Sequence, residues 1–181
     1  TKGVGFDQKK IQNLKFFEKI ERRFRRHGIS YQMVGKPLLS NFFDYTSLRG
    51  KKVLDIATGT GLLTVEFARQ GALVTGIDIT KFAVLATKSN LSLRNLSGEA
   101  LQMDAQDLKF KDDVFDFACA HGCLMHMPDT QKAINEIHRV LKKNGKAHAW
   151  IYHKGWYYYF GIIFFRGLVL GQLLRYNFNI L

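Results

Sequence analysis

The sequence contains only two cysteines, Cys119 and Cys123, among 181 residues. Two cysteines are too few for a disulfide framework, so a small disulfide-stabilised secreted domain is excluded and a reducing, cytoplasmic location is expected. The first 27 residues also lack an apolar segment followed by a cleavage site, so no secretory signal peptide is predicted. Acidic residues are fewer than basic ones, 15 against 27.

The basic excess is concentrated at the N-terminus. Residues 1–52 hold 13 lysines and arginines against 4 acidic residues, whereas the remaining residues hold 14 against 11. Such a region could attract nucleic acid, an anionic membrane or an acidic substrate, although a solvated helix face is the more common cause. No RNA-binding motif is present, and a nucleic-acid partner is not expected.

Hydrophobic periodicity divides the chain into three parts, of which residues 1–45 are predicted to form an N-terminal helical cap. An amphipathic helix is expected from Asp7 to Gly28, packing by its apolar side and carrying Arg25 on the opposite side. A second short helix is expected to begin near Pro37.

Residues 46–153 alternate short strands with helices. The pattern predicts strands at 52–56, 72–78, 99–104, 115–121 and 146–153, and helices at 62–69, 81–93 and 130–143. Strands separated by helices form parallel βαβ units, so an α/β fold with a doubly wound, mostly parallel sheet is expected.

Residues 154–181 are predicted to be an apolar lid, interface or connecting segment of the same domain. The stretch 156–174 is rich in aromatic and aliphatic residues, but Arg166 near its centre argues against a membrane-spanning helix. A substrate lid, a peripheral membrane contact and an oligomer contact all remain open for it.

The stretch Asp55–Gly61 carries the first chemical signal. Gly59 and Gly61 directly follow a predicted strand, where glycines allow a sharp turn and the close approach of a ligand. A dinucleotide site would have a third glycine, but that position is Thr64, and the carboxylate of Asp55 is unfavourable beside a diphosphate. It suits S-adenosylmethionine (SAM), which carries an ammonium and a sulfonium group and no phosphate.

Two further acids end the next two predicted strands. Asp78 lies where a carboxylate can accept hydrogen bonds from ribose hydroxyls, and Asp104 can accept one from an adenine amino group. Each alone could equally be a turn or helix-capping aspartate. Because the carboxyl ends of parallel strands share one rim, the three acids together favour a nucleoside site.

Three further motifs carry a family resemblance: Phe115–His121, Leu124–Asp129 and Ile137–Gly145. With the loop and the acids, they make residues 50–153 resemble the class I SAM-dependent methyltransferases, in particular the small-molecule branch called methyltransferase type 11. The resemblance implies a Rossmann-like fold, SAM as cofactor and S-adenosylhomocysteine as product. It implies cofactor contacts from Asp55, Ala57, Thr58, Gly59, Thr60, Gly61, Asp78, Ile79, Asp104, Ala105 and His121.

The chain departs from the family pattern at two places. Ala57 replaces the first glycine of the loop, and we expect this position to avoid a positive φ and cofactor binding to survive. The family adds two strands after the fifth, but the residues after His153 show no strand–turn–strand pattern. These C-terminal strands are therefore expected to be missing from this chain.

The histidines offer one candidate base. Cys119, His121, Cys123 and His126 are close in sequence, but their spacing fits no zinc pattern and no metal is expected. His121 is expected to offer its backbone to the cofactor, as the resemblance implies. His126 could take a proton from a hydroxyl or amine, although a loop or packing role is the alternative. His27, His138, His148 and His153 are interpreted as ordinary.

The predicted function is direct in-line transfer of a methyl group from SAM to an oxygen, nitrogen or carbon atom of a small-molecule, lipophilic acceptor. Two alternatives remain at this point: a non-catalytic SAM-binding subunit that stabilises a partner, and an RNA-directed methyltransferase.

Overall fold

The computed structural model describes residues 10–27, 36–42 and 44–151. Helices and strands alternate through these residues. The helices are α1 (Leu14–His27), α2 (Leu62–Arg69), α3 (Lys81–Leu93) and α4 (Thr130–Val140). The strands are β1 (Lys52–Ile56), β2 (Leu73–Asp78), β3 (Glu99–Gln102), β4 (Phe115–His121) and β5 (Leu141–Trp150).

The five strands form one parallel sheet in the order β3-β2-β1-β4-β5. The chain moves outward from β1 through β2 to β3 and then returns to the other side of β1 for β4. In such sheets, ligands bind at the carboxyl ends of the strands, at the point where the strand order reverses. Here that point lies between β1 and β4. The predicted doubly wound, parallel sheet is confirmed.

Both faces of the sheet are covered because side chains alternate along each strand. On one face, Leu54 and Ala118 pack with Ile137 of α4. On the other face, Val53 and Phe117 pack with Phe67 of α2. The helices on each face thereby hold the carboxyl ends of the strands at one rim.

The N-terminal helix differs from its prediction. It begins at Leu14 rather than near Asp7, because the side chain of Asn13 accepts a hydrogen bond of 2.9 Å from the Lys15 N–H at the helix start. A short 3₁₀ turn, Lys10–Gln12, precedes it, and Asp7 lies outside the described residues. The apolar side does face the domain, where Phe17 is buried in a cluster with Ala86.

Glu21 attaches α1 to the other helices. Its carboxylate lies 3.2 Å from a guanidinium nitrogen of each of three arginines, Arg25 of α1, Arg69 of α2 and Arg94 of α3. Arg25 also lies 3.9 Å from the buried carboxylate of Glu66. The expectation that Arg25 lies opposite the packing side is therefore wrong, because these ion pairs hold it against the domain.

One short element and several boundaries also differ, and strand β5 begins at Leu141 rather than at residue 146. The helix predicted near Pro37 is absent from the described residues 36–42, which form turns that bury Leu38 and Leu39. Helix α4 ends at Val140 rather than Lys143, because the Val140 carbonyl accepts a hydrogen bond from Val114 and the chain then joins β4. Strand β3 ends two residues before Asp104.

The described residues up to Trp150 belong to one compact unit. The predicted segment 154–181, with the stretch 156–174, lies outside the described residues. Within the described ranges, no helix has the length and apolarity needed to cross a membrane.

Candidate active site

The loop Ala57–Gly61 joins β1 to α2 at the rim where the sheet reverses. Gly59 and Gly61 have φ angles of 56° and 77°. A side chain at Gly61 would also place its Cβ 2.9 Å from the Thr87 Cα, closer than atoms pack. Glycine suits the left-handed backbone at both positions, and at Gly61 the close contact with α3 also excludes a side chain.

The backbone conformation of Ala57 contradicts the prediction that this position avoids a positive φ. Its φ angle is 58°, in the left-handed region that the sequence led us to exclude for this position. The family glycine at this position therefore has a conformational reason, and a non-glycine residue there costs about 1–2 kcal/mol. Alanine is nevertheless accommodated, since its side chain is exposed.

Helix α3 supports the loop through two polar side chains that the sequence did not single out. Thr87 donates a hydrogen bond of 3.0 Å to the Thr58 hydroxyl, and the Asn90 amide donates one of 2.9 Å to the Thr60 carbonyl. Both are buried and lie three residues apart on the helix. Polar residues at this spacing on a buried helix face are the signal that could have identified them.

Asp55 lies beneath the loop rather than at its surface. Its side chain is buried, and the Thr64 hydroxyl donates a hydrogen bond of 2.5 Å to it. Burial raises the pKa of Asp55 to about 7, against the Thr64 hydrogen bonds that lower it, and the charge of Asp78 raises it further. Thr64 occupies the position of the third glycine of a dinucleotide-binding motif, and here its hydroxyl binds the carboxyl group of Asp55.

Asp78 connects the end of β2 to the loop. One carboxylate oxygen, Oδ2, accepts a hydrogen bond of 3.1 Å from the Gly59 N–H. The other, Oδ1, accepts bonds of 2.9 Å from the N–H and from the hydroxyl of Thr80, the residue that caps α3. Ile79, between them, is 63% exposed at the rim.

Asp104 follows the end of β3 and is half-buried. It accepts a hydrogen bond of 2.9 Å from the Gln106 N–H, and Gln106 in turn accepts one of 2.9 Å from the Asp129 N–H. Ala105 is buried beside it. These bonds tie the β3 rim to the start of α4.

The three acids form a staggered row. Asp55 pairs with Gly76, so Asp78 lies two residues further toward the rim. Asp78 pairs with Gln102, so Asp104 lies two residues further again. Two residues of strand span about 7 Å, and the acids therefore step outward from β1 to β3.

His121 ends β4 and lies in a cluster of rings. Its Nδ1 is 3.2 Å from Nε2 of His148 on β5, and its ring stacks on Trp150 at a centroid distance of 5.2 Å. Burial, with the nearby His148, lowers the pKa of His121 to about 4. The interpretation of His148 as ordinary is wrong, because the register of β4 with β5 brings these rings together.

His126 lies five residues after His121, in the 3₁₀ turn Leu124–His126, and its side chain is exposed. Cys119 is buried, whereas Cys123 is half-buried and its thiol donates to the Ile56 carbonyl at 3.6 Å. In the described part of the chain, no three metal-binding side chains cluster together. Roles of these residues toward a ligand stay predictions.

A parallel sheet with a glycine loop and a row of acids at one rim is typical of α/β proteins that bind a nucleoside. Residues 54–149 match the family model described as "Methyltransferase domain". The match covers more than half of the chain, and the chain belongs to this family. Members of this family use SAM in general, which agrees with the acids at the rim.

Individual relatives support the same assignment. A ubiquinone biosynthesis O-methyltransferase from Pseudomonas syringae pv. tomato is 35% identical over 113 residues, 61% of this chain and 49% of that protein. A ubiquinone/menaquinone biosynthesis C-methyltransferase from Idiomarina loihiensis is 38% identical over 105 residues, 55% of this chain and 41% of that protein. The chain thus spans about half the length of the curated relatives it matches.

A solved structure has a similar fold. The crystal structure of a SAM-dependent methyltransferase from Aquifex aeolicus superposes with a TM-score of 0.53, covering 72% of this chain and 68% of that one. At 19% identity this likeness concerns the fold alone. It agrees with the Rossmann-like class I fold expected from the sequence.

Proposed function

We propose that this chain is the cofactor-binding core of an enzyme that transfers a methyl group from SAM to an oxygen, nitrogen or carbon atom of a small-molecule acceptor, with S-adenosylhomocysteine as product. The row Asp55, Asp78 and Asp104 beside the glycine loop is the observation that supports this proposal. An adenine at Asp104 and a ribose at Asp78 would direct the rest of the nucleoside toward β1 and β4.

The chemistry of these side chains fits a cationic nucleoside. Oδ2 of Asp78 accepts one hydrogen bond, which leaves a second lone pair for a ribose hydroxyl. A diphosphate beside the same carboxylates would be repelled. The acids therefore favour a nucleoside without phosphate groups.

SAM would supply a methyl group on a positively charged sulfur, and the acceptor atom would displace that sulfur from the methyl carbon in line. The loop Ala57–Gly61 is held by Asp78 and Asn90, and in this proposal it would hold the methionine part of SAM and so position that methyl group. Alignment of this kind contributes about 7–11 kcal/mol in favourable cases. In this proposal the chain binds and orients both partners, and His126 is an optional base.

A lipophilic small molecule is the acceptor we propose. The printed names of the two relatives refer to ubiquinone and menaquinone biosynthesis. A cytoplasmic location with a peripheral membrane contact through residues 156–174 is part of the same proposal.

The basic N-terminal region gives little support to an RNA substrate. Arg25 forms ion pairs with Glu21 and Glu66 and so faces the domain rather than solvent. Arg69 and Arg94 are held by the same glutamate. Within the basic N-terminal region, the charge of Arg25 is therefore used in attaching α1.

The decisive experiment separates cofactor binding from transfer. Calorimetry with S-adenosylhomocysteine measures binding, and SAM labelled in its methyl group is then incubated with the protein and a small-molecule extract. We expect both binding and label in an extract component. Binding without transfer would favour the non-catalytic subunit, and absence of binding would refute the assignment of the acids.

A further inference from the structure

The rings of His121, His148 and Trp150 lie at the carboxyl ends of β4 and β5, where the acceptor of the proposed reaction would bind. Cys119 pairs with Asp55, so His121, two residues later, lies level with Ala57 at the start of the glycine loop. A nucleoside lying from Asp104 through Asp78 toward β1 would end its reactive group beside β4. The acceptor must approach that group from the next strands along the same rim.

The rim at β4 and β5 is lined by aromatic side chains. His121 stacks on Trp150 at an interplanar angle of 20°. Phe24 of α1 approaches the same imidazole at 6.4 Å, edge to face. Rings at such separations attract a further planar ring, and aromatic faces also tolerate a nearby cation.

The two histidines are joined in a particular way. Their ring planes differ by only 13°, and the centroids are 5.5 Å apart with the facing nitrogens at 3.2 Å. The distance between the centroids is longer than the distance between the facing nitrogens by about two ring radii. The two nitrogens therefore lie on the line between the centroids, and the imidazoles meet edge to edge through Nδ1 of His121 and Nε2 of His148. One proton lies between these two nitrogens. When Nδ1 of His121 carries it, Nε2 of His121 has a lone pair that can accept another proton.

We propose that His121 and His148 form a proton relay for an aromatic hydroxyl acceptor that stacks against this cluster of rings. The proposal rests on the proposed methyltransferase function. It names the acceptor class, a phenol or catechol, and gives the role of base to His121 rather than to the exposed His126.

The step balances in atoms and charge. The acceptor oxygen bonds to the methyl carbon while the carbon–sulfur electron pair stays on sulfur, and the hydroxyl proton passes to Nε2 of His121. The proton on Nδ1 of His121 moves to Nε2 of His148, which then carries the positive charge. The oxygen becomes strongly acidic as it gains the methyl group, so a weakly basic imidazole is sufficient.

The environment keeps the relay neutral before the step. Burial and the adjacent His148 lower the pKa of His121 to about 4, and burial lowers the pKa of His148. Two neutral imidazoles add no positive charge beside a sulfonium group. They also retain the lone pair that must accept the proton.

The first test uses the unmodified protein loaded with S-adenosylhomocysteine. Catechol is added up to its solubility limit, and the ring nitrogens of His121 and His148 are followed by ¹⁵N NMR. We expect catechol to shift the Nε2 signal of His121 and cyclohexane-1,2-diol to leave it unchanged. An unmoved His121 signal overturns the relay, whereas failure to bind S-adenosylhomocysteine overturns the proposed function itself.

The second test separates catalysis from packing with methyl-labelled SAM and catechol. His121→Phe keeps a ring on Trp150 but removes both nitrogens, and His148→Phe removes only the partner nitrogen. His138→Phe, on the exposed side of α4, is the matched control. We expect kcat to fall about 100-fold in His121→Phe and by a smaller factor in His148→Phe, with unchanged affinity for S-adenosylhomocysteine.

Two outcomes of this second test contradict the relay. A loss of S-adenosylhomocysteine affinity in His121→Phe as large as the loss of kcat would indicate a structural role. Absence of label in catechol with the unmodified protein would refute the aromatic hydroxyl as the acceptor.

Discussion

Asp78 accepts a hydrogen bond of 3.1 Å from the backbone N–H of Gly59. This bond joins the end of β2 to the glycine loop that follows β1, its neighbour in the sheet. The residue proposed to hold the ribose therefore also sets the position of the loop proposed to hold the methionine part. A change at Asp78 should affect both halves of the cofactor.

Asp78→Asn tests this double role. The substitution keeps the size of the side chain and one acceptor oxygen but removes the negative charge that strengthens its hydrogen bonds. Hydrogen bonds to charged groups contribute about 1.5–3 kcal/mol, so we expect affinity for S-adenosylhomocysteine to fall about 10–100-fold by calorimetry. Asp113→Asn, at an exposed turn, is the control; equal affinities of the two variants would contradict the assignment of Asp78.

Ala57→Gly should stabilise the protein. Alanine pays about 1–2 kcal/mol for its positive φ of 58°, whereas glycine adopts this angle freely and loses about 0.5–1 kcal/mol through its greater freedom in the unfolded chain. We expect a net gain of about 0.5–1 kcal/mol in the free energy of unfolding, measured with urea. Ala68→Gly, within α2, should instead lower it by about 1 kcal/mol. A loss at both positions would show that Ala57 is not strained.

The sheet could be predicted because each strand and helix shows its own local pattern, and each acid lies at or near the carboxyl end of a strand. The pairing of His121 with His148 could not, because it depends on the register of two strands separated by α4. The positive φ of Ala57 was missed because the loop conformation depends on contacts with α3. Val140 ends its helix early because strand pairing outweighs local helix propensity.

Asp55→Asn should change how stability depends on pH. The folded protein raises the pKa of Asp55 to about 7, so it favours the protonated acid and binds more protons than the unfolded chain. The stabilisation from this group is complete below the unfolded pKa and is lost as the pH rises through the folded pKa. From about 1.4 kcal/mol per pKa unit, we expect a loss of roughly 2–3 kcal/mol between pH 5 and pH 8.

The measurement compares urea unfolding of the unmodified protein and of Asp55→Asn at these two pH values. Asparagine cannot ionise. Between pH 5 and pH 8 the variant should therefore lose roughly 2–3 kcal/mol less stability than the unmodified protein. Asp113→Asn, whose side chain is exposed, should follow the unmodified protein. Parallel pH profiles for Asp55→Asn and the unmodified protein would show that Asp55 does not titrate in this range.

Glu21→Gln should loosen α1 from the domain. Burial alone would raise the pKa of Glu21, but its bonds and charge interactions with Arg69, Arg25 and Arg94 lower it overall, so the carboxylate is ionised and central to the cluster. Removing its charge leaves three guanidinium groups close together, and we expect a loss of about 2 kcal/mol, below the value for fully buried pairs because this cluster is partly exposed. Hydrogen exchange should accelerate in the amides of α1 but not in those of α4. Lys19→Gln, on the exposed side of the same helix, is the control, and equal exchange in the two variants would show that Glu21 does not attach the helix.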